Sequence, residues 1–184
     1  MAEMILTLEG KHFQRQYLLY IVEITHENDK YYYVGQTGDK HYTTARPAFR
    51  RLAGHLEDVG RSTQNQVYRY LAVEVLGISE ATRKDSTFNE KIKQAVEDYL
   101  VGSTIKMYVY PLQPFIPGIE HSQHLKIVRK VTLFEKIVIG LLLTHSKTIA
   151  NKNVAPPPES AECPYPQVLN QIVADFKLNH KLNK

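Results

Sequence analysis

The segment Tyr17-Leu18-Leu19-Tyr20-Ile21-Val22-Glu23-Ile24-Thr25, then His26-Glu27-Asn28-Asp29-Lys30, then Tyr31-Tyr32-Tyr33-Val34-Gly35-Gln36, holds the topology of this chain. The two outer runs are dense in β-branched and aromatic residues, which suit a pleated surface and predict strands over 17–25 and 31–36. The polar run between them has turn chemistry. Two strands across so short a break form an antiparallel hairpin. A weaker strand is expected over 4–8.

Working outward, 37–47 is a polar connection carrying Gly38, Asp39 and Pro47. A helix is expected over 48–57, with Phe49, Leu52, Ala53 and Leu56 at the i, i+3, i+4, i+7 spacing of a buried stripe. Further helices are expected over 64–76 and 88–101, and 105–111 alternates as a third strand. Pro114, Pro117 and Gly118 make 112–124 a loop. The most apolar helix is expected over 125–144. Pro156, Pro157 and Pro158 then punctuate the chain. A last amphipathic helix with a basic tail (Lys177, Lys181, Lys184) falls within 160–184. The pattern predicts an α+β fold, a small antiparallel sheet flanked by helices, as one domain over 1–184.

The 184 residues are 43% hydrophobic and 23% charged, which excludes disordered and low-complexity classes. One cysteine excludes a disulfide framework and a cysteine-built zinc site. No apolar run approaches the roughly 20 residues of a membrane helix. Met1-Ala2-Glu3-Met4 lacks the basic-then-apolar layout of a secretory leader, so a cytoplasmic location is expected. The net charge of +4 is mildly consistent with a polyanionic partner. Tyrosine is abundant, at 12 residues against no tryptophan.

Glu135 is the residue that propensity does not explain. At 100° per residue the core face of 131–143 collects Val131, Phe134, Val138, Leu141 and Leu142, with Thr132, Lys136 and Gly140 opposite. Glu135 lies about 40° from Val131 and about 20° from Leu142, at the border of the apolar face. A carboxylate held there costs several kcal/mol unless it is paired or bound to a cation. On the first helix, Arg51 and His55 are i, i+4 neighbours. Arg51 offers forked donors suited to a phosphate, and His55 can exchange a proton near neutral pH. Out of context, each of these has an ordinary reading as a boundary glutamate or a solvated helix face.

Hairpin, basic helix and acidic helix together resemble the GIY-YIG nuclease superfamily over about 17–153. Leu18-Leu19-Tyr20 stands for the first tripeptide, without its glycine, and Tyr33-Val34-Gly35 with Gln36-Thr37 for the second. Arg51 and His55 match the Arg-x-x-x-His step, and Glu135 in Phe134-Glu135-Lys136 matches the metal-binding glutamate. Asn151 or Asn153 matches the late asparagine. The interval from His55 to Glu135 is long for the family and implies a helical insertion over about 58–104, which makes Glu97 the fallback for the glutamate. The resemblance implies a divalent-metal-dependent DNA endonuclease, of a small restriction or phage type. Glu135 would hold one Mg²⁺ or Mn²⁺ and Arg51 would brace the phosphoryl oxygens. Tyr20 would take the proton of the attacking water with His55 as relay, Tyr33 would position water or phosphate, and the asparagine would fix the glutamate or the local loop. A homodimer is expected if both strands are cut. The competing readings are a catalytically idle nucleic-acid-binding module on the same fold, and a structural interaction protein.

Strand parity tests the pairing of the tyrosines. Tyr20 and Tyr33 share a sheet face only if the register pairs even with odd residues, for example Ile24 with Tyr33. Glu23 opposite Tyr33 would send the phenols to opposite faces. Lys40, Arg46 and Arg50, with Arg61 and Arg69, are candidates for DNA-backbone contacts. His121 and His124 lie in the expected loop without acidic or cysteine partners, a poor zinc site. Cys163 shows no sign of activation.

Overall fold

The computed structural model describes residues 7, 9–56, 65–152, 155–157 and 162–178. Its strands are β1 (Gln16–His26), β2 (Asp29–Gln36), β3 (Ser103–Pro114) and β4 (Thr148–Ile149). Its helices are α1 (Ala48–Leu56), α2 (Gln66–Tyr70), α3 (Glu80–Lys84), α4 (Asn89–Val101), α5 (His121–Thr144) and α6 (Pro166–Asp175). The α+β class holds: one small sheet, in the order β3-β1-β2-β4, is flanked by helices.

β1 is central because its residues from Tyr17 to Ile24 are apolar on both faces, apart from Glu23, and all are buried. Antiparallel neighbours, β2 and β3, satisfy its two edges. The hairpin is tighter than its composition predicts. His26 pairs with Asp29, leaving Glu27 and Asn28 as the turn, and Glu27 takes φ 51°. One addition to the expected antiparallel sheet is β4, which joins β2 in parallel through Tyr31 and Tyr32.

Alternation along β1 separates two cores. Leu18, Tyr20, Val22 and Ile24 face α1, α2 and α4, where Ala48, Val67, Leu71, Ile92 and Val96 cover them. Leu19 and Ile21 face the other layer, built on Phe134, Val138, Leu141 and Leu142 of α5 and on Leu169 and Ile172 of α6. The five residues expected to form the core face of α5 are all buried.

Three expectations need correction. Of the stripe expected on α1, Leu52 and Leu56 pack partly buried against the core, but Phe49 and Ala53 do not join that cluster. Ala53 is exposed, while Ala48 and His55 are the buried residues and Arg51 lies half-buried between them. Phe49 instead packs on Phe13, with ring centroids 5.2 Å apart. The expected loop over 112–124 is shorter, because β3 runs to Pro114 and α5 begins at His121. The helix expected over 64–76 is a short α2 that widens into a π-turn over Leu71–Val75, with the Leu76 amide bonded to the Leu71 carbonyl. Apart from Thr7, the strand expected over 4–8 lies outside the described residues, as do Arg61, Asn153, Lys181 and Lys184.

Candidate active site

The register places Val22 opposite Tyr33 and Tyr20 opposite Gly35. Even residues therefore pair with odd ones, and the two phenols share a face, with ring centroids 6.2 Å apart. The Tyr20 ring lies across β2 directly over Gly35. A Cβ at position 35 would sit 2.8 Å from Tyr20 Cε2 and closer still to Cζ and Oη. The glycine of the second tripeptide is thus the space that the tyrosine of the first one fills.

α1 brings two more groups to the same phenol. His55, fully buried, places Nε2 2.6 Å from the Tyr20 hydroxyl, and Arg51 donates its Nε–H to the same oxygen at 3.1 Å. The Tyr33 ring packs on His55 at 4.5 Å between centroids. Tyr20 accepts from Arg51 and is hydrogen-bonded to Tyr33 as well; with His55 in the tautomer that leaves Nε2 bare, its own proton goes to His55 and the groups form a directed chain. Burial pushes the Tyr20 phenol up to about 12, with Arg51 opposing the rise and Glu135 adding to it. Tyr33 is likewise held well above the ordinary phenol range, first by burial and then by the charges of Tyr20 and Glu135. Burial works against the Arg51 charge, but Tyr20, Tyr33 and Glu135 outweigh it and hold the guanidinium protonated.

Glu135 completes the cluster from α5. Its carboxylate is close enough to act electrostatically on Tyr20, Tyr33 and Arg51. It retains some exposure, and among the described residues it makes no hydrogen bond or ion pair. Burial raises its pKa to about 7 against the pull of Arg51 and Lys136. A carboxylate that is costly to charge, has no hydrogen-bonded partner among the described residues and remains within reach of solvent fits a bound cation. No group of three His, Cys, Asp or Glu side chains is assembled among the described residues. One carboxylate oxygen site suits Mg²⁺ or Mn²⁺, which retain water ligands, and does not suit zinc. Glu97 is exposed on α4 and does not serve as the fallback.

The Asn151 amide is bonded to the β2 backbone and not to Glu135. Its side-chain oxygen accepts from the Val34 amide at 2.9 Å and its nitrogen donates to the Val34 carbonyl at 2.7 Å. The side chain thereby continues the β2–β4 pairing by one more rung and fixes β2 between Tyr33 and Gly35. Next to it, Lys152 reaches Glu80 at 3.5 Å, and Glu80 also holds Arg69 and Arg83.

Of the expected DNA-contacting residues, Arg46 and Arg50 line one cleft, and Lys40 is exposed outside it. His124 is a buried structural group on α5. Its Nε2 donates to the Asp39 carbonyl at 2.6 Å, which leaves Nδ1 to accept from the Tyr17 hydroxyl, also at 2.6 Å. Both ring nitrogens are thus engaged, Nε2 tying 37–47 to α5 and Nδ1 tying β1 to it. Cys163 is half-buried and burial raises its pKa, as expected of an unactivated thiol.

No family model, curated protein or solved structure matches the chain. The reading of the site therefore rests on its own chemistry. Sequence reasoning missed Phe13 and Arg15, which join Arg46 and Arg50 only through tertiary folding. No local signal marks them, beyond an aromatic and a cation just before the first strand.

Proposed function

We propose that this chain is a divalent-cation-dependent endonuclease that hydrolyses phosphodiester bonds in DNA, of the GIY-YIG type. One observation carries the reading. β1, α1 and α5 deliver a phenol, an imidazole, a guanidinium and a carboxylate with no hydrogen-bonded partner among the described residues to one cluster, in the residue types that phosphodiester hydrolysis uses.

Hydrolysis needs a proton acceptor for water, positive charge at the phosphoryl oxygens and stabilisation of the leaving oxygen. Arg51, held against Tyr20 by its Nε–H, presents the rest of its guanidinium to the phosphate. The Tyr20 oxygen receives the water proton while its own proton passes to His55 Nε2. This transfer avoids a standing phenolate, which a pKa of about 12 forbids at neutral pH. Tyr33, packed on both groups, restricts where the water and phosphate sit. Glu135 would hold the cation, which supplies charge neutralisation for the phosphoryl and leaving oxygens.

Supercoiled-plasmid nicking with Mg²⁺ or with EDTA tests this directly, beside Glu135→Ala, Arg51→Ala and Tyr20→Phe. Each substitution should lower the rate by about 10²-fold or more. Cleavage untouched by Glu135→Ala and Arg51→Ala refutes the site. DNA binding without cleavage in any divalent metal refutes the nuclease and leaves a binding module.

A further inference from the structure

Beside the Tyr20 cluster, but separate from it, a cleft of about 520 Å³ opens between the first turn of α1 and the segment leading into β1. Arg15, Arg46 and Arg50 line it with Phe13 and Pro47, and no acidic side chain is among the described lining residues. Arg15 is braced from outside, with Nη2 2.5 Å from Thr44 Oγ1 and its guanidinium 5.1 Å from the Phe115 ring centre. Neither contact neutralises its charge. Arg50 makes no hydrogen bond or ion pair among the described residues. Arg46 has the Asp39 carboxylate, which also accepts from the His41 and Tyr42 amides, within its field. Arg15 and Arg50 thus leave two charges in the cleft that no acidic side chain among its described lining residues offsets. Phe13 is 49% exposed despite resting on Phe49, so the cleft also carries an open aromatic surface.

We infer that this cleft holds an unpaired nucleotide of the DNA strand, with its base on Phe13 and the flanking phosphates on Arg15 and Arg50. The inference rests on the nuclease reading and narrows its substrate to DNA with a single-stranded segment. Aromatic surface interleaved with basic side chains is the chemistry of single-strand binding, because a stacked and paired base cannot offer its face. The volume matches a small-molecule-sized occupant. Arg50 precedes Arg51 in α1, so the cleft adjoins the helix that delivers Arg51 to the Tyr20 hydroxyl.

Fluorescence anisotropy in EDTA tests this on the full chain, using labelled oligodeoxythymidine and a blunt duplex of equal length. The single strand should bind about tenfold tighter or better. Phe13→Leu should weaken the single strand by about 5- to 100-fold and leave the duplex unchanged, while Phe13→Tyr retains the preference. Arg15→Ala/Arg50→Ala should reduce the slope of log K against log salt by about 1.4. Tighter duplex binding, or Phe13→Leu within twofold of wild type, overturns the inference. If Phe13→Leu does not fold by circular dichroism, the arginine pair decides, and an unchanged salt slope overturns it. Binding in EDTA requires no cation, so the two readings fail separately. A chain that holds single strands and never cuts refutes the nuclease alone. One that cuts, but whose single-strand binding is unmoved by the Phe13→Leu substitution, refutes the cleft alone.

Discussion

Gly35→Ala places a methyl where the Tyr20 ring now lies. The added Cβ would stand 2.8 Å from Cε2 and closer to Cζ and Oη, whereas carbon atoms rest about 3.5 Å or more apart. Backbone cannot yield, because β2 is paired with β1 on one edge and held by Asn151 on the other. The ring must therefore retreat by about 1 Å, which stretches the contact to His55 Nε2, now 2.6 Å, beyond hydrogen-bond range. The Arg51 contact, now 3.1 Å, is lost with it. Overpacking at about 1–3 kcal/mol and two lost hydrogen bonds at about 1 kcal/mol each give a destabilisation of about 3–5 kcal/mol. A displacement of about 1 Å at the reacting oxygen lowers the cleavage rate by about 10²-fold. Urea unfolding and plasmid nicking read the two effects, with Gly54→Ala as the companion variant. A Cβ at position 54 meets nothing within 4 Å, so that helical substitution should leave stability unchanged or raised by up to about 1 kcal/mol. A Gly35→Ala protein within about 0.5 kcal/mol of wild type, cutting at the wild-type rate, refutes the placement of Tyr20.

Asn151→Ala removes both bonds to Val34 and should cost about 1–3 kcal/mol in urea unfolding, whereas Asn151→Asp restores only the acceptor and should lose the Val34 carbonyl contact. Glu135, raised from 4.5 to about 7, keeps its proton in the fold after the unfolded chain has lost it, so stability should fall as pH rises from about 4.5 to 7. In EDTA at pH 8, thermal melts should show Glu135→Gln more stable than wild type by up to about 3 kcal/mol, with the difference vanishing below pH 4.5. Glu80 behaves oppositely. Although burial opposes it, Arg83 and Arg69 lower its pKa from 4.5 to about 2, so its contribution is present above 4.5 and is lost on acidification towards 2. After discounting for its partial exposure, Glu80→Gln should cost about 1–2 kcal/mol at pH 7 and nothing near pH 2.

The hairpin and α5 were legible because burial alone writes their pattern. β1 is apolar at almost every position because it is covered on both faces, and α5 shows a helical stripe with Glu135 at its border. α1 was misread for the reason that makes it interesting. Its inward face carries Arg51 and His55 beside Leu52 and Leu56, so Phe49 and Ala53 fall elsewhere and only half of the apolar stripe faces the core. His124 was read as part of a loop because Pro117 and Gly118 precede it, and its partner Tyr17 lies across the fold. The role of Asn151 was hidden in the same way. A side chain completing a sheet edge depends on where β4 ends, and β4 has too little local pattern to announce itself.

A chain selected for stability alone would not keep the Tyr20 cluster. Leu18, Val22, Ala48 and Leu71 surround it with a core that an apolar residue at position 20 or 55 would extend. Instead a phenol, an imidazole and a guanidinium are packed there in mutual contact, and a carboxylate with no hydrogen-bonded partner among the described residues borders them. The first three satisfy one another, which accounts for their tolerance but not for Glu135. With its pKa raised to about 7 by burial, its charging opposes folding as the pH rises through neutrality, a cost that a bound cation would relieve. Cation binding should remove that cost, so Mg²⁺ should raise the melting temperature of the wild-type chain at pH 8 and leave Glu135→Gln unmoved. The same measurement separates a functional carboxylate from a tolerated one without any reference to cleavage.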